Sequence, residues 1–280
     1  MNILYAVSTL GGFGLFFGIA LAIASILLKV EQDERIELVR NSLPGANCGG
    51  CGFANCNAMA EAIVTGNAAL DSCPSINSDM ADAISKIINM HVDAPRKMSA
   101  KVLCMGRDEV SAAKYRYNDI SDCLLASKLA QGPKSCTYGC IGLGSCKNVC
   151  KFGAIKIIRG VAVIDPLKCT SCGQCVNICP KKIIRLVPHD NTVWVLCSSQ
   201  DNASAVKDKC SAGCIGCKIC EKLCPQNAIK ITNCKAEINY DKCINCGKCA
   251  SKCPKKIIKT NVSLHDEVQA ELRQYKVIRG

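Results

Sequence analysis

The phrase C-x2-C-x2-C-x3-C-P occurs twice near the end of the chain, as Cys214, Cys217, Cys220, Cys224-Pro225 and as Cys243, Cys246, Cys249, Cys253-Pro254. Three sulfur donors spaced in this way wrap a tight loop around one face of an iron–sulfur cube, and the fourth reaches across to a second cube. This constrains the fold more than any hydrophobic pattern does. Each loop must be compact, each remote cysteine must return to the neighbouring loop, and part of the interior is inorganic. Two cubes are expected, one on Cys214, Cys217, Cys220 and Cys253, the other on Cys243, Cys246, Cys249 and Cys224. A zinc ribbon is the rival, but zinc takes four ligands in paired C-x2-C groups and leaves the third cysteine of every run unexplained.

The same text stands earlier in the chain. Residues 136–186 align with 210–260 without a gap, 24 of 51 positions being identical. In this first copy the second run is intact, and Cys169, Cys172 and Cys175 with Cys150 make a cube. The first run is broken, because Leu143 stands where the second copy has Cys217. Cys136 is the nearest unassigned thiol, so Cys136, Cys140, Cys146 and Cys179 are the expected ligands. The alternative is a three-iron [3Fe-4S] cluster on Cys140, Cys146 and Cys179, with Cys136 idle. Upstream, "GANCGGCGFANC" with a later Cys73-Pro74 supplies Cys48, Cys51, Cys56 and Cys73 in a C-x2-C-x4-C-x16-C arrangement. Its glycines suit a loop that passes close to metal, although zinc is a stronger competitor here. About five [4Fe-4S] clusters are therefore expected. Cys104, Cys123, Cys197, Cys210 and Cys234 have no run of their own and read as buried small apolar residues. Cys104 and Cys197 share "VLC" phrases that would begin equivalent strands.

Composition agrees with an electron carrier. Cysteine makes up 25 of 280 residues, in a chain too long for the disulfide-stapled class. The formal charge of +12 would suggest a polyanion partner, but twenty thiolates around five cubes bring the loaded chain to roughly +2. With aromatics at 4%, nucleic acid is not an expected partner. His91, His189 and His265 are isolated, and no Walker loop or dinucleotide fingerprint is present. No catalytic constellation accompanies the clusters.

From Met1 to Leu28 there is no charged side chain, and the stretch is long enough to cross a bilayer as one helix. A cleaved signal peptide competes, with Ala22-Ile23-Ala24 as a cleavage site, but the basic leader segment is missing. Lys29, Arg35 and Arg40 follow the span and no Lys or Arg precedes it, which puts the cluster domains on the cytoplasmic side of a single-pass membrane protein. The layout expected is an anchor over 1–28, a four-iron domain over 36–92 and a linker with strand and helix over 93–134. Ferredoxin-like modules follow over 135–188 and 189–260, and a tail over 261–280. "NAMAEAIVTGN" and "SINSDMADAISKIINM" carry helical periodicity, and "AIKII" and "VAVI" read as strands. The fold class is α+β, with a transmembrane helix, a small cluster domain and two tandem two-cluster modules.

The N-terminal apolar stretch, "GANCGGCG" with its C-x2-C-x4-C-x16-C set, and "GCIGLGSC" followed by two-cluster runs resemble the B subunit of the Rnf complex, the ion-translocating ferredoxin:NAD+ oxidoreductase of bacterial membranes. The chain departs from the shortest members of that family in carrying two ferredoxin modules. The resemblance implies an electron-relay subunit in the cell (inner) membrane, a part of a translocase moving Na+ or H+. It would take electrons from soluble ferredoxin and pass them to other Rnf subunits, with flavin and NAD sites on those sister subunits. Lys255 and Lys256, after the last cysteine of the second copy, are the expected docking residues for an acidic ferredoxin, and solvated charge that compensates the cubes is the equal rival reading. The rival role is a membrane-tethered polyferredoxin that serves another oxidoreductase without ion pumping.

Overall fold

The computed structural model describes residues 2–27, 33–90 and 96–260. The tail expected over 261–280, the junction at 91–95, and Leu28 and Lys29 lie outside that set. The first element is α1 (Asn2–Leu27), 26 residues without an Asp, Glu, Lys or Arg. Tyr5, Leu10, Phe13, Phe16, Phe17 and Leu21 are all exposed along it. Among the described residues, no helix is long and apolar enough to cross a membrane, which corrects the expected transmembrane helix.

The small N-terminal domain is built from α2 (Glu34–Ser42), α3 (Cys56–Val64) and α4 (Ser78–Ile88). Side-chain oxygens of Asp33, Asn55 and Asn77 accept from Arg35, Ala58 and Met80 N–H groups and so satisfy the first turn of each helix. Apolar faces from the three helices meet in a core of Val39, Met59, Ala60, Ile63, Leu70, Ala81 and Ile84. The helices α3 and α4 match the periodicity of their sequences. α2 forms within a charged stretch where no helix is expected; Asp33 caps it, and Val39, Leu43 and Ile36 pack into the domain core.

Next come β1 (Met98–Val102), α5 (Cys123–Lys128), α6 (Ser145–Asn148), β2 (Ile155–Ile158), β3 (Val161–Ile164), α7 (Gln174–Ile178) and β4 (Ile184–Pro188). The second module has β5 (Val193–Val195), α8 (Ala203–Lys209), α9 (Ile219–Leu223), β6 (Ile229–Thr232), β7 (Lys235–Ile238), α10 (Lys248–Ser251) and β8 (Ile258–Thr260). The strands pair as antiparallel two-stranded sheets: β1 with β4, β2 with β3, β5 with β8, and β6 with β7. In each module a hairpin lies between the cysteine runs, and the first strand pairs with the last.

The duplication therefore extends further upstream than the linear repeat. Val102↔Ile184 and Val195↔Ile258 are equivalent register pairs. Leu103 N–H donates to Ile183 O at 2.7 Å, and Leu196 N–H donates to Ile257 O at 2.8 Å. Cys104 and Cys197 thus close equivalent strands instead of beginning them. The stretch over 93–134 supplies β1 and α5. Between the modules lies a small core of Val187, Trp194 and Leu196 packed by Met105 and Tyr240. Lys101 of β1 places its ammonium 4.3 Å from the Trp194 ring centroid, a cation–π contact across the junction.

Candidate metal centres

In the second module Cys214, Cys217, Cys220 and Cys253 line one hollow of about 340 Å3. Cys224, Cys243, Cys246 and Cys249 line another of about 370 Å3. Each run thus contributes three thiols to one hollow and its fourth to the other. The short helices α9 and α10 start from Lys218 and Gly247, both in left-handed conformation. That reversal turns the chain from loop into helix and brings Cys220 and Cys249 back toward their hollows. Ala228 N–H donates to Cys224 Sγ at 3.2 Å, the kind of contact that stabilises a sulfur carrying negative charge. Cys217 and Cys246 are exposed, so each hollow has one open edge.

In the first module Cys175 sits with Cys169, Cys172 and Cys150; burial first, then these neighbouring thiols, push its thiol up to about 12. Ala100 N–H of β1 reaches Cys169 Sγ at 3.5 Å. The other hollow, about 390 Å3, is lined by Cys123, Cys140, Cys146 and Cys179. Cys136, expected in this set, does not line it. Cys146 is pushed up to about 12 by burial and then by Cys140, Cys123 and Cys179 among its neighbours. Cys123 arrives as the first residue of α5. Asp122 caps that helix through Leu125 N–H at 2.8 Å, and Ser145 Oγ accepts from Cys123 N–H at 2.7 Å and donates to Asp122 at 3.0 Å. Cys136 stands instead against Cys104 and Cys210.

In the N-terminal domain Cys73 is held with Cys51, Cys48 and Cys56, and its thiol is raised by burial and by those three neighbours. The domain is docked on the first module. Gln174 Nε2 donates to Cys48 O at 2.8 Å, Ser75 Oγ to Thr170 O at 2.6 Å, and Lys151 Nζ to Asn47 O at 2.8 Å. A Cβ on Gly50 would stand 2.4 Å from Cys172 O, so backbone meets backbone there and only glycine fits. Cys172, whose thiol is raised chiefly by burial, feels Cys48 as well.

The donor chemistry fits polynuclear clusters. Buried thiols crowded together resist ionising on their own, and a bound cation removes their protons outright. Among the described residues no three Cys, His, Asp or Glu side chains converge on a single ion position. A cage spreads its four thiolates more widely than one zinc at ~2.3 Å from each sulfur can.

Family comparisons agree with this geometry. Residues 43–75 match the Fe-S cluster family (FeS), 162–185 the 4Fe-4S binding domain and 213–257 the 4Fe-4S dicluster domain. The B subunit of the Na(+)-translocating ferredoxin:NAD(+) oxidoreductase complex of Acetobacterium woodii is 45% identical over 241 residues, 86% of this chain and 72% of that protein. The B subunit of the ion-translocating oxidoreductase complex of Methanosarcina acetivorans is 41% identical over 85% of this chain and 90% of its own. The corresponding subunit of the proton-translocating complex of Clostridium ljungdahlii is 37% identical over 79% and 78%. The chain belongs to the B-subunit family of ion-translocating ferredoxin:NAD(+) oxidoreductase complexes. The chain is thus a mixed α/β member of that family with ferredoxin-type iron–sulfur domains.

Within this B subunit the expected docking lysines are differently engaged. Lys255 is half-buried and gives its ammonium to Ser211 O at 2.7 Å, whereas Lys256 is exposed. Lys218 and Lys248, each beside an exposed cysteine, are themselves exposed. Cys123 belongs to no run, so spacing alone does not bring it to this hollow. Its one local signal is the Asp122-Cys123 pair opening a helix, a capping pattern that says nothing of metal.

Proposed function

We propose that this chain is the electron-relay subunit of a membrane-bound complex that couples ferredoxin oxidation and NAD+ reduction to Na+ or H+ translocation. The observation that carries this reading is the gathering of four thiols into each hollow of the second module. A [4Fe-4S] cluster supplies reversible one-electron exchange at a potential set by burial and by hydrogen bonds to sulfur. This chain's residues would hold five such groups: Cys48, Cys51, Cys56, Cys73; Cys123, Cys140, Cys146, Cys179; Cys150, Cys169, Cys172, Cys175; Cys214, Cys217, Cys220, Cys253; and Cys224, Cys243, Cys246, Cys249.

Exposure gives the relay a direction. Cys217 and Cys246 open to solvent beside Lys218 and Lys248, whereas the equivalent edge at Cys172 is covered by the N-terminal domain. Electrons from an acidic soluble ferredoxin would enter at the second module, steered by these lysines and by Lys256. They would leave through the N-terminal domain, next to the membrane partners. The complex lies in the membrane, and the cluster domains of this chain stand on its cytoplasmic face.

Protein purified under argon tests the relay. Reduced ferredoxin should bleach its visible absorption reversibly, and a colourless, zinc-loaded chain would overturn the reading. Lys218→Glu with Lys248→Glu should slow that bleaching severalfold at low salt, with the difference vanishing at high salt. An unchanged low-salt rate removes the docking assignment.

A further inference from the structure

We propose that Cys104, Cys136, Cys197 and Cys210 hold a sixth four-iron cluster that bridges the two ferredoxin-like modules. All four line a single hollow of about 450 Å3. No stretch of sequence announces it, because its ligands come from two places in each module. Those places are equivalent. Cys104 and Cys197 each follow the Val-Leu that closes the first strand, and Cys136 and Cys210 open the two aligned copies. Each module therefore gives the same pair of thiols to a shared space.

The hydrogen bonds repeat across the junction. Cys140 N–H donates to Cys104 Sγ at 3.3 Å, and its counterpart Cys214 N–H donates to Cys197 Sγ at 3.3 Å. Gly106 N–H adds a second donor to Cys104 Sγ, also at 3.3 Å. Gly139 N–H closes a turn on Cys136 O at 3.2 Å, as Gly213 N–H does on Cys210 O at 3.2 Å. Backbone donors aimed at sulfur are what a thiolate needs and what an inert apolar thiol has no use for. Lys134, 5% exposed, also lines the hollow, its ammonium held by Gly106 O at 2.6 Å and Gly160 O at 2.7 Å. Asp108 Oδ1 stands 3.9 Å from the same ammonium, so the cation is partly compensated already, and its positive charge at the edge of the hollow favours an anionic occupant. A cube ligated by four thiolates, at about −2, is such an occupant.

Position supplies the purpose. Cys140 of the first module's hollow touches Cys104, and Cys214 of the second module's hollow touches Cys197. A redox centre here closes the gap between the two modules: one electron arrives from the reduced centre on one side and leaves to the oxidised centre on the other, with no bond made or broken. The inference rests on the relay reading for the kind of metal and not for the four-thiol hollow. With it, six sets of four account for 24 of the 25 cysteines. Cys234 remains, in the β6–β7 turn with left-handed φ of 59°.

The test is iron and acid-labile sulfide counted per chain in the full-length protein purified without oxygen. About 24 of each are expected. About 20 would overturn the sixth site alone, and none would overturn the relay reading as well. Cys104→Ala and Cys210→Ala, one from each module, should each lose about four irons and four sulfides, while Cys234→Ala loses none. Variants that keep the full iron count, one zinc per chain, or a disulfide among these four cysteines would each overturn the proposal. Should the variants misfold, the wild-type count still decides.

Discussion

A single residue, Leu143, separates the two copies of the first cysteine run, and its consequence is local. The duplicated sequence makes the broken run visible; linear proximity favours Cys136 as its fourth thiol, while the fold brings Cys123 to the hollow. Cys136 lines the hollow shared with Cys104 and Cys210, and Cys123, its N–H bound by Ser145 Oγ, lines the hollow of the broken run. Cys123→Ala should cost the first module about four irons, or leave a three-iron centre that is paramagnetic when oxidised. Adding Leu143→Cys should restore the lost iron, because that position reproduces Cys217 of the intact copy. Electron paramagnetic resonance of the air-oxidised protein reads the difference; a Cys123→Ala protein with wild-type iron and no new signal would return the ligand role to another group.

At the scale of elements, the hairpins β2–β3 and β6–β7 and the helices α3 and α4 were legible, because alternating β-branched runs and helical periodicity persist over enough residues. The bounds and pairing of the strands β1 and β5 were not. These strands contribute five and three residues, β1 emerges directly from a Pro-containing segment, and neither pairs with a neighbour in sequence. Yet they deliver Cys104 and Cys197. The helix α5, six residues long, depends on its cap. Asp122→Ala removes both the acceptor for Leu125 N–H and the partner of Ser145, at a cost of ~0.5–2 kcal/mol. Iron should then leave this centre faster under chelator challenge than from the second module, and uniform loss rates would show that α5 does not position Cys123. The contact at Gly50 is another element-level feature that spacing cannot reveal. Gly50→Ala pushes a methyl into the Cys172 carbonyl; amide exchange around Cys172 and Gln174 should rise at unchanged iron content, and protection equal to wild type would mean that the docked backbone yields.

For the whole molecule, the continuity of the proposed relay depends on two junctions. One is the polar seat of the N-terminal domain on the first module; the other is the apolar plug between modules, centred on Trp194, which is 2% exposed. Both β5 and the Lys101 ammonium of β1 meet at that ring, and burial, the chief influence on Lys101, pulls its pKa down. Trp194→Ala removes a large side chain from a junction with few others to compensate, so a loss of ~3–5 kcal/mol is expected. Trp194→Phe keeps most of the buried area and should cost much less. Because the junction also sets the register between the two cysteine pairs of the bridging hollow, Trp194→Ala should shed about four irons while each module keeps its own clusters. Thermal unfolding followed together with iron release separates these effects. A Trp194→Ala protein that melts earlier but retains every iron would mean that the bridging thiols hold the modules in register without the plug.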